Sequence, residues 1–409
     1  MSIFIYKNNL VEVTLTMAIK KSSSQSTTYE AIGLKDDYSD IIVNIDPDLT
    51  YLLSNLGTAK DAENLQFNWL TEGLKPPRKN ANLEMTDYQT EKVGSIERRN
   101  NNCQFFVNTG KVSDAQRDVK KVYKETDEFL RQKEIAFKQQ ARDMEYAIVA
   151  NTQAKLESGN NPAITGGIPY FMEEETLAVV FDSTTGIVTT TDPHNLETGD
   201  FIYFKTSGAK ADALPADISS NIPYWIQKAS DKTFKLFDDL ESAIEGKDVI
   251  VLKDNGTGSL LAVKNNIVDA GSALYTENHI NDAMQMCFDR GGNPTIALMS
   301  GRNKRRFSQI ITGGATKQSN AKDKKVQNVT DVYVSDFGEV TAKAHRMYGD
   351  KRIDIMDMAY WDLKWFKRPH EVEGLAKKGS YSEFVLEGWF GLQGTQPKAS
   401  GSITNIKRA

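Results

Sequence analysis

The segment Ser113–Leu156, which reads SDAQRDVKKVYKETDEFLRQKEIAFKQQARDMEYAIVANTQAKL, decides the fold. Its apolar residues recur at steps of three or four, which is the period of one face of an α-helix. Ser113 and Gln116 form a capping-box start, and the Gly and Pro residues between Ser158 and Pro162 end the pattern. The sequence therefore predicts one uninterrupted helix over Ser113–Leu156. The stripe consists of Ala115, Val119, Val122, Leu130, Phe137, Ala141, Met144 and Ile148.

Two polar residues, Thr126 and Lys133, interrupt this stripe. A coiled coil needs apolar residues at both seam positions over several heptads, so the interruptions argue against one. The other faces of the predicted helix are charged. We therefore predict a rod that packs along one side against a sheet. Phe137 lies on the predicted packed side, where an aspartate would cost several kcal/mol.

The composition is that of a globular protein of two or three domains, with 39% apolar and 26% charged residues in 409. The net charge of −5 excludes a global basic field, so sequence-specific DNA binding is not expected. Cys103 and Cys287 are far apart and have no neighbouring ligand residues, which argues against a disulfide or a zinc site. Near the N-terminus no signal peptide or membrane span is predicted, and Met17 is an alternative start.

Two aromatic segments before the long helix, Gln66–Leu70 and Asn102–Val107, have strand composition. The chain between them is polar and contains Pro76 and Pro77. Such a stretch cannot bury itself, so the two segments are predicted to form a projecting two-stranded loop.

After the helix the apolar period changes to two, in short segments separated by turn residues. Seven short strands at this spacing predict a small sandwich or barrel inserted into a parent fold. The predicted strands are Leu177–Phe181, Gly186–Thr191, Phe201–Phe204, Tyr224–Gln227, Thr233–Phe237, Val249–Leu252 and Ser259–Val263.

Helices and strands alternate again in the last third of the chain. The predicted helices are Tyr275–Arg290 and Asn303–Ile311, and Gln318–Lys325 is predicted as a loop. The predicted strands are Thr295–Met299, Asp331–Val334, Val340–Ala344, Arg352–Met358 and Ser382–Leu392.

The sequence contains no catalytic signature: no P-loop, no dinucleotide-binding glycine motif, no nucleophile elbow and no zinc-protease motif. Asp336–Gly338 matches a kinase tripeptide but is predicted to be a turn between strands. The four histidines lack metal-ligand spacing, and His194 is predicted to fill a turn. The run Glu173–Glu175 is interpreted as a solvated face. We therefore predict no enzyme, no cofactor and no metal.

A basic cluster lies at the start of the predicted helix Asn303–Ile311. It consists of Arg302, Lys304, Arg305 and Arg306. It could contact phosphates, but the same helix carries apolar residues on its other face. We favour a solvated face or a contact between subunits.

Several short segments occur in a characteristic order along the chain: Thr28–Gly33, Asp46–Thr50, Trp69, Arg98–Asn100, Val112–Ser113, Phe337–Val340, Leu375–Gly379 and Pro397–Gly401. In this order they resemble segments of the major capsid proteins of tailed bacteriophages, whose Johnson fold is shared with herpesvirus shells. The inserted block, with His194, Leu196, Gly199 and Asp200, is similar to a β-module of phage structural proteins.

The resemblance implies an α+β fold with a long spine helix, an extended loop, an N-terminal arm and an all-β insertion domain. The implied division is 1–60 for the arm, 61–111 for the extended two-stranded loop, 112–172 for the spine-helix (peripheral) domain, 173–264 for the inserted β domain, 265–370 for the axial α/β domain, 371–396 for the return strand of the peripheral domain and 397–409 for the C-terminal segment.

The implied function is structural: copies assemble as hexamers and pentamers into an icosahedral head that contains double-stranded DNA without sequence-specific binding. Implied partners are portal, scaffold or decoration proteins, with no membrane, and the implied location is the virion after assembly in the host cytoplasm. An alternative is a receptor- or carbohydrate-binding tail protein, suggested by Tyr224, Trp225 and Trp69. The expected subunit contacts are Trp69, Arg98, Arg99, Arg302, Lys304, Arg305 and Arg306.

Overall fold

The computed structural model describes residues 50–72, 81, 84–85, 96–119, 127–172, 176–207, 212–220, 222–311, 318–320, 325–327, 332–375 and 379–408. Residues 46–117 and 127–409 form one compact unit, and the account below concerns that unit. The predicted N-terminal arm before residue 50, the Pro76–Pro77 stretch and Glu173–Glu175 lie outside the described residues.

The helices of the described chain are α1 (Tyr51–Asn55), α2 (Asp114–Asp118), α3 (Glu128–Ala150), α4 (Ile168–Met172), α5 (Leu240–Glu245), α6 (Glu277–Asp289) and α7 (Gly301–Ile311), with 3₁₀ turns at Met358–Tyr360 and Pro397–Ala399.

The strands are β1 (Gly57–Thr58), β2 (Gln66–Glu72), β3 (Ile96–Asn102), β4 (Gln104–Ser113), β5 (Thr176–Asp182), β6 (Ile187–Thr190), β7 (Phe201–Thr206), β8 (Tyr224–Ser230), β9 (Thr233–Phe237), β10 (Leu260–Val263), β11 (Ile267–Asp269), β12 (Ile296–Met299), β13 (Gln318–Asn320), β14 (Lys325–Gln327), β15 (Val332–Ser335), β16 (Gly338–Ala344), β17 (Ile353–Met356), β18 (Trp361–Glu371), β19 (Tyr381–Gly394) and β20 (Gly401–Thr404).

A four-stranded sheet in the order β1-β18-β19-β4, here called the peripheral sheet, carries helix α3 on one face. Strand β19 pairs antiparallel with both β18 and β4, and β1 pairs parallel with β18. Met144 and Ile148 of α3 share a buried core with Phe106 and Phe390 of the sheet. The apolar side chains of α3 are therefore buried where the helix crosses β4 and β19.

A six-stranded mixed sheet in the order β11-β20-β17-β12-β16-β15, here called the axial sheet, packs with α6 and α7. Its core contains Met284 of α6, Phe307 of α7 and the sheet residues Val340, Ile355 and Ile403, all at most 1% exposed. Apolar side chains at helical spacing in α6 and α7 therefore lie on the face that covers this sheet.

The inserted block is a closed barrel in the order β10-β5-β6-β9-β8-β7, and β7 pairs with β10 to close it. Its interior is filled by aromatic and branched side chains, including Phe181, Phe204 and Phe234. His194, predicted to fill a turn, lies in the irregular segment between β6 and β7: it is buried, its Nδ1 accepts from the Leu196 N–H at 3.0 Å, and its Nε2 lies 2.8 Å from the Ser230 carbonyl.

The predicted uninterrupted helix over Ser113–Leu156 is wrong at two points. Its start is confirmed, because the Gln116 N–H donates to Ser113 Oγ at 3.1 Å. However, Asp127 is extended (φ −140°, ψ 114°) and its carboxylate accepts from the Phe129 N–H, so α3 begins as a separate helix. At its other end α3 stops at Ala150, because the Asn151 side chain donates to the Thr165 carbonyl at 2.8 Å and draws the chain away.

The predicted apolar stripe is buried only in the second half of α3. Met144 and Ile148 are 1% and 0% exposed, whereas Leu130 is 55% and Phe137 36% exposed. The placement of Phe137 in a packed core is therefore wrong. In the first half of α3, Lys133 instead pairs with Glu371 of β18 at 2.6 Å.

The predicted pairing of the extended loop is also wrong. Strand β2 pairs with Ile96–Asn102, which shares only Asn102 with the predicted partner segment Asn102–Val107. Residues Gln104–Ser113 belong to the peripheral sheet and pair with β19. Cys103, between the two strands, is buried and donates its N–H to the Leu65 carbonyl at 2.7 Å, so the chain changes sheets at this residue.

Other local predictions have mixed outcomes. Val249–Leu252 is not a strand, although the Ile250 N–H donates to the Leu236 carbonyl at 3.0 Å, so the barrel has six strands instead of seven. The predicted loop Gln318–Lys325 contains β13 and the first residue of β14. Strands β18 and β20 were not predicted. The turn at Asp336–Gly338 joins β15 to β16 as predicted.

Candidate functional site

The face of the peripheral sheet opposite α3, here called the open face, exposes large apolar side chains. Phe106 points into the core beneath α3, and because side chains alternate along a strand, Phe105 and Val107 point the other way. Phe105 is 45% and Val107 49% exposed. A β-strand with exposed apolar residues on one face is the usual mark of a contact surface.

An aromatic pair organises the open face. Trp389 of β19 lies opposite Phe105 in the register, and their rings stack with centroids 4.3 Å apart. Phe366 of β18 meets Trp389 edge-on at 6.4 Å, and the Lys367 ammonium lies 5.2 Å from the Trp389 ring centroid. The rings are held by one another and by strand pairing, so the surface is preformed.

The β2–β3 hairpin carries further exposed apolar residues. Leu70 is 69% and Ile96 61% exposed. In the register Leu70 faces Arg98, and Glu72 faces Ile96, so all four alternate positions lie on the same side of the hairpin. This side of the hairpin is therefore an exposed mixture of apolar and charged side chains.

The root of the hairpin is fixed by one buried side chain, Asn101, which is 1% exposed. Its Nδ2 donates to the carbonyls of Leu392 and Gly166, at 2.6 and 3.1 Å. Its Oδ1 accepts from the N–H groups of Asn102 and Gly166, both at 2.8 Å. These bonds tie the hairpin to β19 and set the direction in which it leaves the sheet.

The structure places the predicted contact residue Trp69 inward. Its ring lies 5.8 Å from Phe67 and 5.9 Å from Phe171, and its Nε1 is buried without a hydrogen-bond partner in the described structure. Of the two predicted arginines on β3, Arg98 is exposed and Arg99, opposite Trp69, is partly buried. Arg98 alone of these three side chains points outward beside Leu70.

The predicted basic cluster on α7 divides into two pairs. Arg306 Nε donates to the Tyr275 carbonyl at 3.0 Å, and the Lys304 ammonium lies 5.2 Å from the Phe307 ring, so both are used inside the subunit. Arg302 pairs with Asp350 at 3.7 Å and is 53% exposed. Arg305 is exposed as well.

A fully buried carboxylate joins α3 to two other parts of the fold. Glu145 Oε1 accepts from the Leu52 N–H at 2.8 Å and Oε2 from the Leu53 N–H at 2.8 Å, at the start of α1. His345 Nε2 lies 2.9 Å from Glu145 Oε1, while its Nδ1 accepts from the Met347 N–H. Nε2 therefore carries the proton that is shared with Glu145, and the carboxylate holds α1 and the segment after β16 against α3.

No catalytic centre emerges from the described residues. Both cysteines are buried and free, and burial raises the pKa of Cys103 to about 11 and that of Cys287 to about 12, so neither is a ready nucleophile. Within the described ranges no three His, Cys, Asp or Glu side chains are grouped to hold a metal ion. No described helix is long and apolar enough to cross a membrane.

Sequence reasoning missed Phe105 and Val107 as surface residues. The available signal was the alternation in Gln104–Val107, in which one aromatic residue of the adjacent Phe105–Phe106 pair must face away from the core. The partner Trp389 was apparent as a large residue on a strand, but its stacking on Phe105 depends on a pairing that is distant in sequence.

The family model of the SU10 major capsid protein matches residues 21–407. The chain belongs to the SU10 major capsid protein family. This match covers every described element, from α1 to β20, and a structural role in the capsid follows from it. The alternative of a tail protein has no support from this assignment. No curated protein matches the chain at a significant level.

Solved structures share the fold at low sequence identity. The capsid of cyanophage A-1(L) superposes with a TM-score of 0.52 and 8% identity, over 93% of this chain and 98% of that one. Mycobacterium phage Cain gives 0.49 with 11% identity, over 93% and 98%. The capsid of a native GTA particle gives 0.49 with 11% identity, over 95% and 100%. Together with the family match, the similarity to the cyanophage A-1(L) capsid confirms the α+β capsid fold for this subunit.

Proposed function

We propose that copies of this capsid protein associate as hexamers and pentamers into the icosahedral head of a tailed phage, which encloses double-stranded DNA without reading its sequence. Assembly takes place in the host cytoplasm, with portal, scaffold or decoration proteins as partners, and the subunit has no catalytic role. The observation that carries the proposal is the open face, where Phe105 and Val107 are exposed and Phe105 is held in place by stacking on the partly buried Trp389.

The open face has the chemistry of a contact between proteins. Aromatic residues are enriched at the buried centres of such interfaces, and covering apolar area contributes roughly 25 cal/mol per Å². Lys367, whose ammonium lies 5.2 Å from the Trp389 ring centroid, matches the polar rim of an interface. In a shell, the natural occupant of this face is a second copy of the chain.

The hairpin extends the reach of each subunit. Leu70, Ile96 and Arg98 lie on its exposed side, and Asn101 fixes its root, so it presents a second apolar patch in a set direction. Several modest contacts per subunit add up strongly in a closed shell because each further contact forms at high effective concentration. We extend the same proposal to the seven-part domain division given above, with β4 and β18 moved to the peripheral domain and β20 to the axial domain because they pair there. The proposal also includes the barrel as an outer module that decorates the shell or braces neighbouring capsomers.

Electron microscopy and sedimentation test this proposal on the chain expressed alone and with its neighbouring genes. Closed shells or capsomer rings are the expected products. A discrete monomer or trimer under both conditions would contradict the proposal.

A charge on the open face tests which surface carries the contact. Phe105→Glu should abolish shells while the secondary structure and thermal midpoint stay close to those of the unmodified protein, because the side chain is 45% exposed. Val180→Glu introduces the same charge at a 67% exposed position of the barrel, and this variant should still form shells. Normal assembly of Phe105→Glu would show that the open face is not an interface.

A further inference from the structure

Two arginines pair with Asp350 at one end of the axial domain, and three further exposed cations lie next to these residues in the chain or one turn away on α7; we call the five cations the Asp350 patch. Asp350 Oδ2 pairs with Arg408 Nε at 3.1 Å and with Arg302 Nε at 3.7 Å, which brings two arginines from distant parts of the chain to one carboxylate. The members of the patch are Arg302, Arg305, Lys351, Lys407 and Arg408, and all of them are exposed.

Backbone and buried side-chain bonds hold the patch together. Asn303, which is 1% exposed, donates from Nδ2 to the Asp350 carbonyl at 3.0 Å and so fixes the loop to α7. The Ile406 N–H donates to the Lys351 carbonyl at 3.2 Å, and the Lys407 N–H to the Ala273 carbonyl at 2.8 Å. Because three chain segments are fixed in this way, the cations are displayed at a rigid site.

The helix contributes two of the cations through its spacing. Arg302 and Arg305 are three residues apart on α7 and therefore neighbours on its outer surface. Lys304 and Arg306, on the other sides of the helix, contact Phe307 and Tyr275 instead. In the described chain, Arg305 makes no ion pair.

The chemistry of this surface differs from that of the open face. No exposed large apolar residue lies within residues 301–310, 345–352 or 400–408 of the described chain. Protein interfaces centre on apolar and aromatic residues and are depleted in lysine, whereas Arg and Lys are the usual partners of backbone phosphates. The Asp350 patch therefore fits a polyanion better than it fits a second subunit.

We propose that the Asp350 patch contacts the phosphate backbone of double-stranded DNA without sequence preference, an inference that rests on the proposed function as a DNA-containing shell. Double-stranded DNA presents about one negative charge per 1.7 Å of its axis, so a rigid group of cations meets several phosphates at once. The overall charge of −5 keeps the contact local, since the rest of the surface does not attract DNA.

Binding of labelled random-sequence duplex DNA to the full chain, measured by anisotropy over a salt series, tests this inference. The triple variant Arg302→Gln, Arg305→Gln and Arg408→Gln should lower the affinity and reduce the slope of log K against log salt by about two to three, since each phosphate contact contributes about 0.9. The control carries the same charge change on exposed, locally paired lysines: Lys60→Gln, Lys247→Gln and Lys253→Gln.

The control triple should retain nearly the original affinity and slope. If it loses as much as the patch variant, or if the patch variant loses nothing, the inference is overturned. A second variant, Lys351→Gln with Lys407→Gln, changes side chains that make no ion pair among the described residues and keeps the test independent of folding. It should also reduce the salt slope.

Particle assembly, followed in parallel by electron microscopy, separates the two proposals. If the patch variant fails to form shells but keeps its DNA affinity, the patch is a contact between copies. That outcome would refute the DNA-binding inference and leave the proposed function in place. Failure of the unmodified protein to form any shell or capsomer would refute the proposed function, whereas the salt slopes would still decide the phosphate contact.

Discussion

The inserted barrel and the peripheral sheet use β-strands in opposite ways. The barrel takes its strands from one continuous stretch, Thr176–Val263, and closes by pairing β10 with β7, so that it has no open edge. The peripheral sheet takes its strands from three parts of the chain, 57–58, 104–113 and 361–394. Helix α3 covers one face, and on the other face Phe67 and Cys103 pack against Phe366 and Trp389 over part of the area. That face also exposes Phe105 and Val107.

The barrel and the peripheral sheet therefore differ in how much of their apolar surface is left for contacts with other subunits. In the barrel, large side chains such as Phe234 are buried in its interior, and Phe201, Tyr203 and Val263 are buried in the core shared with the axial domain, so its large apolar residues are covered within the subunit. In the peripheral sheet, Phe105 and Val107 remain about half exposed, with Phe105 stacked on the partly buried Trp389. A shell protein needs both kinds of structure, and the comparison predicts that mutations in the two regions will have separable effects.

The largest effect is expected from Glu145→Ala. This change leaves the N–H groups of Leu52 and Leu53 and the His345 ring without their buried partner, and removal of one member of such a pair costs about 3–5 kcal/mol. Urea unfolding measures the loss, and hydrogen exchange by mass spectrometry should locate it in α1, α3 and the segment after β16. The barrel amides should keep their protection.

Glu134→Ala is the matched control, because it removes the same group from an exposed position of α3. It should change stability by less than about 0.5 kcal/mol. Equal losses for Glu134→Ala and Glu145→Ala, or loss of barrel protection in Glu145→Ala, would break the proposed separation of the two regions.

Phe234→Ala tests the barrel side of the comparison. Phe234 is 0% exposed inside the barrel, and truncation of a buried phenylalanine costs about 3–4 kcal/mol, because the site does not collapse fully. Hydrogen exchange should now show lost protection in β5–β10 and unchanged protection in β4 and β19. Val180→Ala, at a 67% exposed position of β5, should change neither. Coupled loss of both regions would mean that the barrel is part of the peripheral core.

The same contrast explains what could be read from the sequence. Six barrel strands were predicted because each is short, alternates with period two and ends at turn residues such as Asp192–Pro193. The pairing of β4 with β19 was not predictable, because it joins segments at opposite ends of the chain and nothing local specifies the register. Strand β18 was missed because its second half is polar and contains Pro369, which removes the strand pattern.

The candidate site was harder to predict than the fold. Trp69 and Arg306 belong to residue types that are common at protein interfaces, but in the folded subunit both side chains contact residues of the same chain. Asp350 and Arg408 carry no motif, and their meeting with Arg302 depends on the loop after β16 and the chain end after β20. Residue type thus indicated the chemistry of a surface, whereas its location depended on contacts between distant segments.

A smaller effect is expected from pH in the barrel. Burial lowers the pKa of His194, partly opposed by the hydrogen bond from its ring to the Ser230 carbonyl. The unfolded chain therefore binds a proton that the folded barrel does not, so stability from this group is present above the unfolded pKa of about 6.5 and is lost as the pH falls through the lower folded pKa.

The thermal midpoint of the barrel, measured from about pH 8 to about pH 5, should therefore fall more steeply in the unmodified protein than in His194→Asn. The variant is expected to be less stable at neutral pH, because it loses the ring contacts, but its acid-side slope should be flatter. Parallel slopes would show that His194 does not make the barrel sensitive to acid.

The smallest effect is expected at Phe137, where sequence pattern and structure disagree. The side chain fits the helical stripe but is 36% exposed, so Phe137→Asp should cost less than about 1 kcal/mol. Met144→Asp, two turns further along the same helix and 1% exposed, should cost several times more, because a buried charge has no partner there. Equal costs at the two sites would mean that the first half of α3 is packed in solution. A mild loss at Phe137 together with failed assembly would instead identify this side of the helix as a further contact between copies.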